Sequence, residues 1–146
     1  MYSYKNDAEN LELLGALSGY GLPLGEAFQL RDDLLGIFGD PDTTGKPAGD
    51  DIREGKRTVL MAMTLEKAQG SARTELVNSL GNPSLSAEKI DALRNLIIDT
   101  GAVTEVENLI ERLAEQSRTA AIGAAIHEQA HPFLLALAET ATRRSH

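Results

Sequence analysis

The 146-residue chain contains no cysteine, which excludes disulfides, zinc–thiolate centres and a thiol nucleophile. Aromatic residues make up only 4% of it. No apolar run approaches the ~18 residues that a membrane-spanning helix needs. Basic residues are the minority, with 14 Lys and Arg against 22 Asp and Glu and a formal net charge of −8. That balance disfavours a general nucleic-acid or anionic-membrane binder, since both need basic surface. It leaves room for an anionic ligand, because a divalent cation bridges acidic side chains to phosphate oxygens. The start, Met1-Tyr2-Ser3-Tyr4-Lys5-Asn6-Asp7, has no apolar signal-peptide core, so a cytoplasmic location is expected.

Sustained period-two alternation is missing as well, and what remains is helical spacing. An all-α chain is therefore expected, a helical bundle long enough to bury a core of its own. Residues 1–10 are polar and patternless and are expected to be disordered, with 11–146 as a single helical domain. Gly15, Gly19, Gly21 and Gly25 each cost a helix up to ~1 kcal/mol against alanine. Their density implies either a break near Gly21-Leu22-Pro23 or close helix–helix approach, and Pro23 suits the first turn of a new helix. A new helix then runs to Phe38, and Gly39-Asp40-Pro41 ends it. A loop is expected to about Glu54. Further helices are expected over 57–68, 72–80, 87–100, 103–125 and, after Pro132, 133–143.

Acids, bases and an amide cluster only between Phe28 and Thr58. Gln29 lies three and four residues before Asp32 and Asp33, hence on their face of a helix. Two carboxylates at the negative end of a helix dipole are an unfavourable pair unless something cationic offsets them. Hard oxygen ligands suit Mg²⁺, which takes one or two carboxylates plus phosphate oxygens and water. Lys46, Lys56 and Arg57 can then meet the same phosphate. The bland alternative is a solvated helix end followed by a charged surface loop. A calcium reading is weaker still: Asp40-x-Asp42-x-Thr44-Gly45-x5-Asp51 follows much of an EF-hand loop, but its last position is Asp and Pro47 interrupts it.

Phe28-Gln29-Leu30-Arg31-Asp32-Asp33, Gly39-Asp40-Pro41, Thr44-Gly45-Lys46-Pro47, Gly49-Asp50-Asp51 and Gly55-Lys56-Arg57-Thr58 together resemble the second aspartate-rich region of trans-isoprenyl diphosphate synthases, the polyprenyl synthetases. The wording is most like the actinobacterial geranylgeranyl diphosphate synthases. The resemblance is specific over residues 20–60, and the helices that follow are in keeping with that family's C-terminal part. It implies an all-α, usually homodimeric, Mg²⁺-dependent prenyltransferase that joins an allylic diphosphate to isopentenyl diphosphate. By position, Asp32, Asp33 and Asp51 would serve the metal, Gln29, Lys46 and Lys56 the diphosphate, and Phe28 the growing chain. Lys46 and Lys56 would also stabilise the departing diphosphate. Asp50 and Arg57 are weaker candidates, and Asp40 and Asp42 shape the turn.

Two departures from the family pattern stand out. Gly36 occupies the fifth position of the usual DDxxD, and the first aspartate-rich motif is not in this chain. The chain looks like the C-terminal portion of such a synthase. Two readings follow: part of a prenyltransferase that does not work alone, or a non-catalytic homologue that partners or modulates a full-length synthase. Apolar faces around Leu11–Leu35 and Val59–Leu65 would then be uncovered and drive self-association or pairing with a complementary subunit. His127 and His131, spaced i, i+4, lack a nearby third ligand and read as surface residues, as does the terminal His146.

Overall fold

The computed structural model describes residues 6–143. Eight α-helices follow one another: α1 (Asn6–Phe38), α2 (Pro41–Thr44), α3 (Asp50–Glu54), α4 (Val59–Lys67), α5 (Gly70–Ser79), α6 (Ala87–Asp99), α7 (Ala102–Ala121) and α8 (His131–Thr142). A 3-10 turn, Glu128–Ala130, precedes α8. No described residue is in a strand. The chain is all-α, as its periodicity predicts.

Local chemistry sets most of the boundaries. The Thr58 side chain accepts a hydrogen bond from the Met61 backbone N–H at 3.0 Å and starts α4. Ser86 does the same for Lys89 at 3.1 Å and starts α6, and Asp40 takes the Asp42 N–H at 2.9 Å ahead of α2. Each cap satisfies a donor that the first turn leaves without an intrahelical partner.

Three expectations change. The loop between α1 and α4 holds the two short helices α2 and α3. Helix α7 ends at Ala121, four residues early, and the chain turns through Gly123, whose carbonyl accepts from the Ile126 N–H at 3.1 Å. Helix α1 is the largest difference, since it runs 33 residues with Pro23 inside it. It also includes Asn6–Asn10, expected to be patternless; the remainder of that expected segment, 1–5, lies outside the described residues, as does His146.

The described residues form two compact units, one of 6–29 with 109–143 and the other Leu30–Asn108. In the first, Tyr20, Ala121 and Ala138 are buried together, with Leu24, Leu134 and Leu135 packed on them. The Tyr20 hydroxyl donates to the Leu134 carbonyl at 2.9 Å, and Ser117 Oγ donates to the Tyr20 carbonyl at 2.8 Å. These bonds explain the unbroken helix. A proline ring crowds the carbonyls of the preceding turn, and here a side chain from α7 supplies a donor on that turn. Propensity favoured a break; tertiary anchoring overrides it. Leu11, Leu14 and Leu22 of this unit are exposed.

In the second unit Leu30, Leu34 and Ile37 of α1 recur one turn apart and are buried, as are Ile52 of α3, Leu60 of α4, Leu76 of α5, Ile90, Leu93 and Ile97 of α6 and Val106 of α7. The faces expected to be bare are therefore only partly so. Leu30, Leu34, Leu60 and Met61 are covered, while Val59 is exposed.

Candidate functional site

Asp32 and Asp33 lie in the last two turns of α1. Asp33 is buried at 3% exposure, and Asp32 is half-buried. No basic residue occupies the last turn of that helix. The cation comes from α6: Arg94 Nε donates to the Ile37 carbonyl at 2.6 Å. A guanidinium on a terminal carbonyl offsets the negative end of the dipole, which is the compensation that the acidic pair requires. Beside the pair, Arg31 is buried and forks onto both oxygens of Glu107 at 2.8 and 2.9 Å. This bidentate pairing fixes the rotation of α1 about its own axis at the acidic end.

The loop then folds toward this end of α1. Gly45 closes α2 in a left-handed conformation, φ 72°, and the Lys46 N–H donates to Thr44 Oγ1 at 3.3 Å. Arg53 holds α3 by donating to the Ala48 carbonyl at 2.9 Å and the Leu85 carbonyl at 3.2 Å. Buried Ile52 anchors its other side. Asp51 is 6% exposed, and its Oδ2 is buried with no hydrogen-bond partner. Lys56 Nζ stands 3.8 Å from that oxygen. The Lys56 and Lys46 side chains are exposed.

Burial pushes the Asp51 carboxyl above its usual value near 3.8, and the charges of Asp33 and Asp50 push the same way. Lys56 and Lys46 oppose them. The folded chain thus holds this proton more tightly than the unfolded chain does. Stability from this group is fullest below the usual carboxylate value and is lost as pH rises through the raised one. Metal-free Asp51→Asn is therefore expected to gain stability relative to wild type as pH increases from 4 to 8 in urea unfolding. A difference that stays flat with pH would contradict this account of the site.

Asp51 Oδ2 is buried without a hydrogen bond, Asp33 is buried and Asp32 half-buried, and carboxylates are hard oxygen ligands of the kind Mg²⁺ takes one or two at a time. No group of three His, Asp or Glu among the described residues is placed to enclose a metal. The donors suit an open coordination sphere that a ligand completes, as Mg²⁺ prefers. The calcium-loop reading meets a different geometry, because Asp40 caps α2 and Asp42 and Thr44 lie within that helix. Phe28 is half-buried and Gln29 exposed, and both belong to the first unit.

His127 and His131 are engaged elsewhere. His127 Nδ1 accepts from the Gln129 N–H at 3.2 Å, and His131 Nε2 lies 2.9 Å from the Ile126 carbonyl. Sequence reasoning missed Arg94 and the Arg31–Glu107 clamp, whose partners lie 57 and 76 residues away. No local spacing carries such pairings.

Fold and site define an all-helical protein that gathers carboxylates and lysines around one helix end. The polyprenyl synthetase family model matches residues 1–97, and the chain belongs to the polyprenyl synthetase family. It is 39% identical over 98 residues to the geranylfarnesyl diphosphate synthase of Aeropyrum pernix, covering 67% of this chain and 30% of that one. Against the geranylgeranyl diphosphate synthase of Mycobacterium tuberculosis it is 34% identical over 132 residues, 90% of this chain and 36% of the relative. The solved geranylgeranyl pyrophosphate synthase of Corynebacterium glutamicum, complexed with isoprenyl diphosphate and magnesium, superposes with a TM-score of 0.86 at 46% identity. It covers 92% of this chain and 38% of its own length. The chain thus spans about a third of the length of the relatives it matches.

Proposed function

We propose that this chain is the diphosphate-binding part of a Mg²⁺-dependent isoprenyl diphosphate synthase, and that it does not catalyse prenyl transfer alone. The observation that carries the reading is the set formed by the acidic end of α1, the orphaned Asp51 oxygen, and the lysines at 46 and 56 whose charges reach it. The magnesium-and-diphosphate complex of the Corynebacterium relative supports it.

Asp32 and Asp33 would hold the metal, with Asp51 as a further helper, and Mg²⁺ bound there would supply positive charge to the diphosphate. Lys46 and Lys56 take the diphosphate oxygens and stabilise the leaving group's growing negative charge. The roles of Phe28 and Gln29 rest on their place in the motif. The setting is isoprenoid biosynthesis in the cytoplasm; no helix among the described residues is long and apolar enough to cross a membrane.

The test is transfer of the farnesyl group of farnesyl diphosphate to labelled isopentenyl diphosphate with Mg²⁺, with release of the farnesyl donor's diphosphate. The chain alone should give no product, and the chain mixed with a polypeptide carrying the first aspartate-rich region should give one. Turnover by the chain alone would contradict the division of labour.

The exposed Leu11, Leu14 and Leu22 favour the second reading in one respect, because a bare apolar stripe recruits a partner. We expect the purified chain to sediment at micromolar concentration as a homo-oligomer larger than its 15.7 kDa. A monomer would count against self-association and leave a complementary synthase subunit as the partner.

A further inference from the structure

Lys46 and Lys56 flank α3 in the chain. Both side chains are exposed, and an ammonium on a flexible four-carbon stem owes its placement to the backbone beneath it. Lys56 Nζ lies 3.8 Å from Asp51 Oδ2, and the charge of Lys46 reaches the same carboxyl. The two cations therefore face one place.

Arg53 joins the two stretches of backbone that carry them. Its Nη1 donates at 2.9 Å to the Ala48 carbonyl, shortly after Lys46. Its Nε donates at 3.2 Å to the Leu85 carbonyl, between α5 and α6. Neither carbonyl belongs to α3, so this guanidinium does not cap its own helix. It ties the loop leaving Lys46 to the helix leading into Lys56, and pins both to a third segment. The ends of α3 have no slack either. A Cβ on Gly49 would overlap the Ile90 side chain of α6, and one on Gly55 would meet the Gly81 Cα at 2.9 Å.

We propose that Arg53 is a positioning residue that sets the separation of Lys46 and Lys56, and so makes the site prefer a diphosphate to a single phosphate. The inference goes beyond the Mg²⁺–diphosphate reading and rests on it. Two ammonium groups held at a set spacing suit an anion with two phosphoryl groups, because the second contact forms within an already bound ligand. A single phosphate uses one of them.

Calorimetric titrations of inorganic diphosphate and of inorganic phosphate, both with Mg²⁺, read that preference. Wild type should bind diphosphate more tightly than phosphate. Arg53→Ala should lose about tenfold in diphosphate affinity, the scale of one charge-assisted hydrogen bond, and keep its phosphate affinity. A merely structural loss would weaken both ligands together. In a Lys46→Ala background the same substitution should cost nothing further, because no pair is left to space. Arg53→Lys guards against an alanine variant that fails to fold. It keeps the charge but not the fork, so it should melt closer to wild type yet lose the preference for diphosphate.

The proposal alone would be overturned by a wild type without the preference, by Arg53 variants that weaken both ligands equally or neither, or by full additivity with Lys46→Ala. A wild type with no Mg²⁺-dependent diphosphate binding would overturn the underlying functional reading and this inference with it.

Discussion

Asp32→Ala is expected to weaken Mg²⁺-dependent diphosphate binding by ~100-fold or more, at the upper end of what even indirect metal partners cost. The expectation follows from the donor set. Asp33 is buried and Asp51 lies behind Gly36, so half-buried Asp32 is the carboxylate best placed to reach a metal from solvent. Mg²⁺ is content with one or two carboxylates, so on the proposed assignment removing Asp32 leaves only the buried Asp33 to hold it. The fold should be indifferent, since α1 is fixed at this end by Arg94 and by the Arg31–Glu107 fork. Calorimetry with and without Mg²⁺, alongside a melting curve, separates the two effects. Binding retained within a few-fold would move the metal's principal ligand elsewhere.

The second large effect is structural and reaches the site indirectly. Gly55 closes α3 in a left-handed conformation, φ 67°, and a Cβ there would meet the Gly81 Cα at 2.9 Å. Gly55→Ala therefore combines a left-handed alanine, ~1–2 kcal/mol, with overpacking against a backbone that cannot rotate away, typically ~1–3 kcal/mol. A loss of about 3 kcal/mol in urea unfolding is expected. The Lys56 N–H donates to the Asp51 carbonyl at 3.0 Å across this turn, so diphosphate binding should weaken too. The same substitution at Gly45, where a Cβ would meet nothing within 4 Å, should cost only the conformational part.

Much of this molecule is legible from its residues, and the reasons are physical. The burial of Leu30, Leu34 and Ile37, and of Ile90, Leu93 and Ile97, follows from spacing that puts them on one helical stripe. The cap at Ser86 follows from a hydroxyl placed before an apolar run, whereas Thr58, expected inside a helix beginning at 57, caps α4 from outside it. The carboxylates and lysines of the site are all contained in one 30-odd-residue stretch, so their grouping is visible along the chain.

What stays hidden depends on distance in sequence. Pro23 and four nearby glycines argue locally for a break in α1, whereas Tyr20 is anchored by Ser117 and Leu134, 97 and 114 residues away. Arg94 answers the need for a cation at the acidic helix end, a need that the sequence states without naming the residue. Gly36 reads along the chain as a missing acid. In space it is the position against which another acid rests.

The most direct measurement is the titration of inorganic diphosphate into the wild-type chain, with and without Mg²⁺. The account predicts saturable binding that appears only with the metal, carried by the acidic end of α1 and the lysines at 46 and 56. Binding that is equal in both conditions, or absent in both, would contradict the claim that this chain carries a Mg²⁺–diphosphate site.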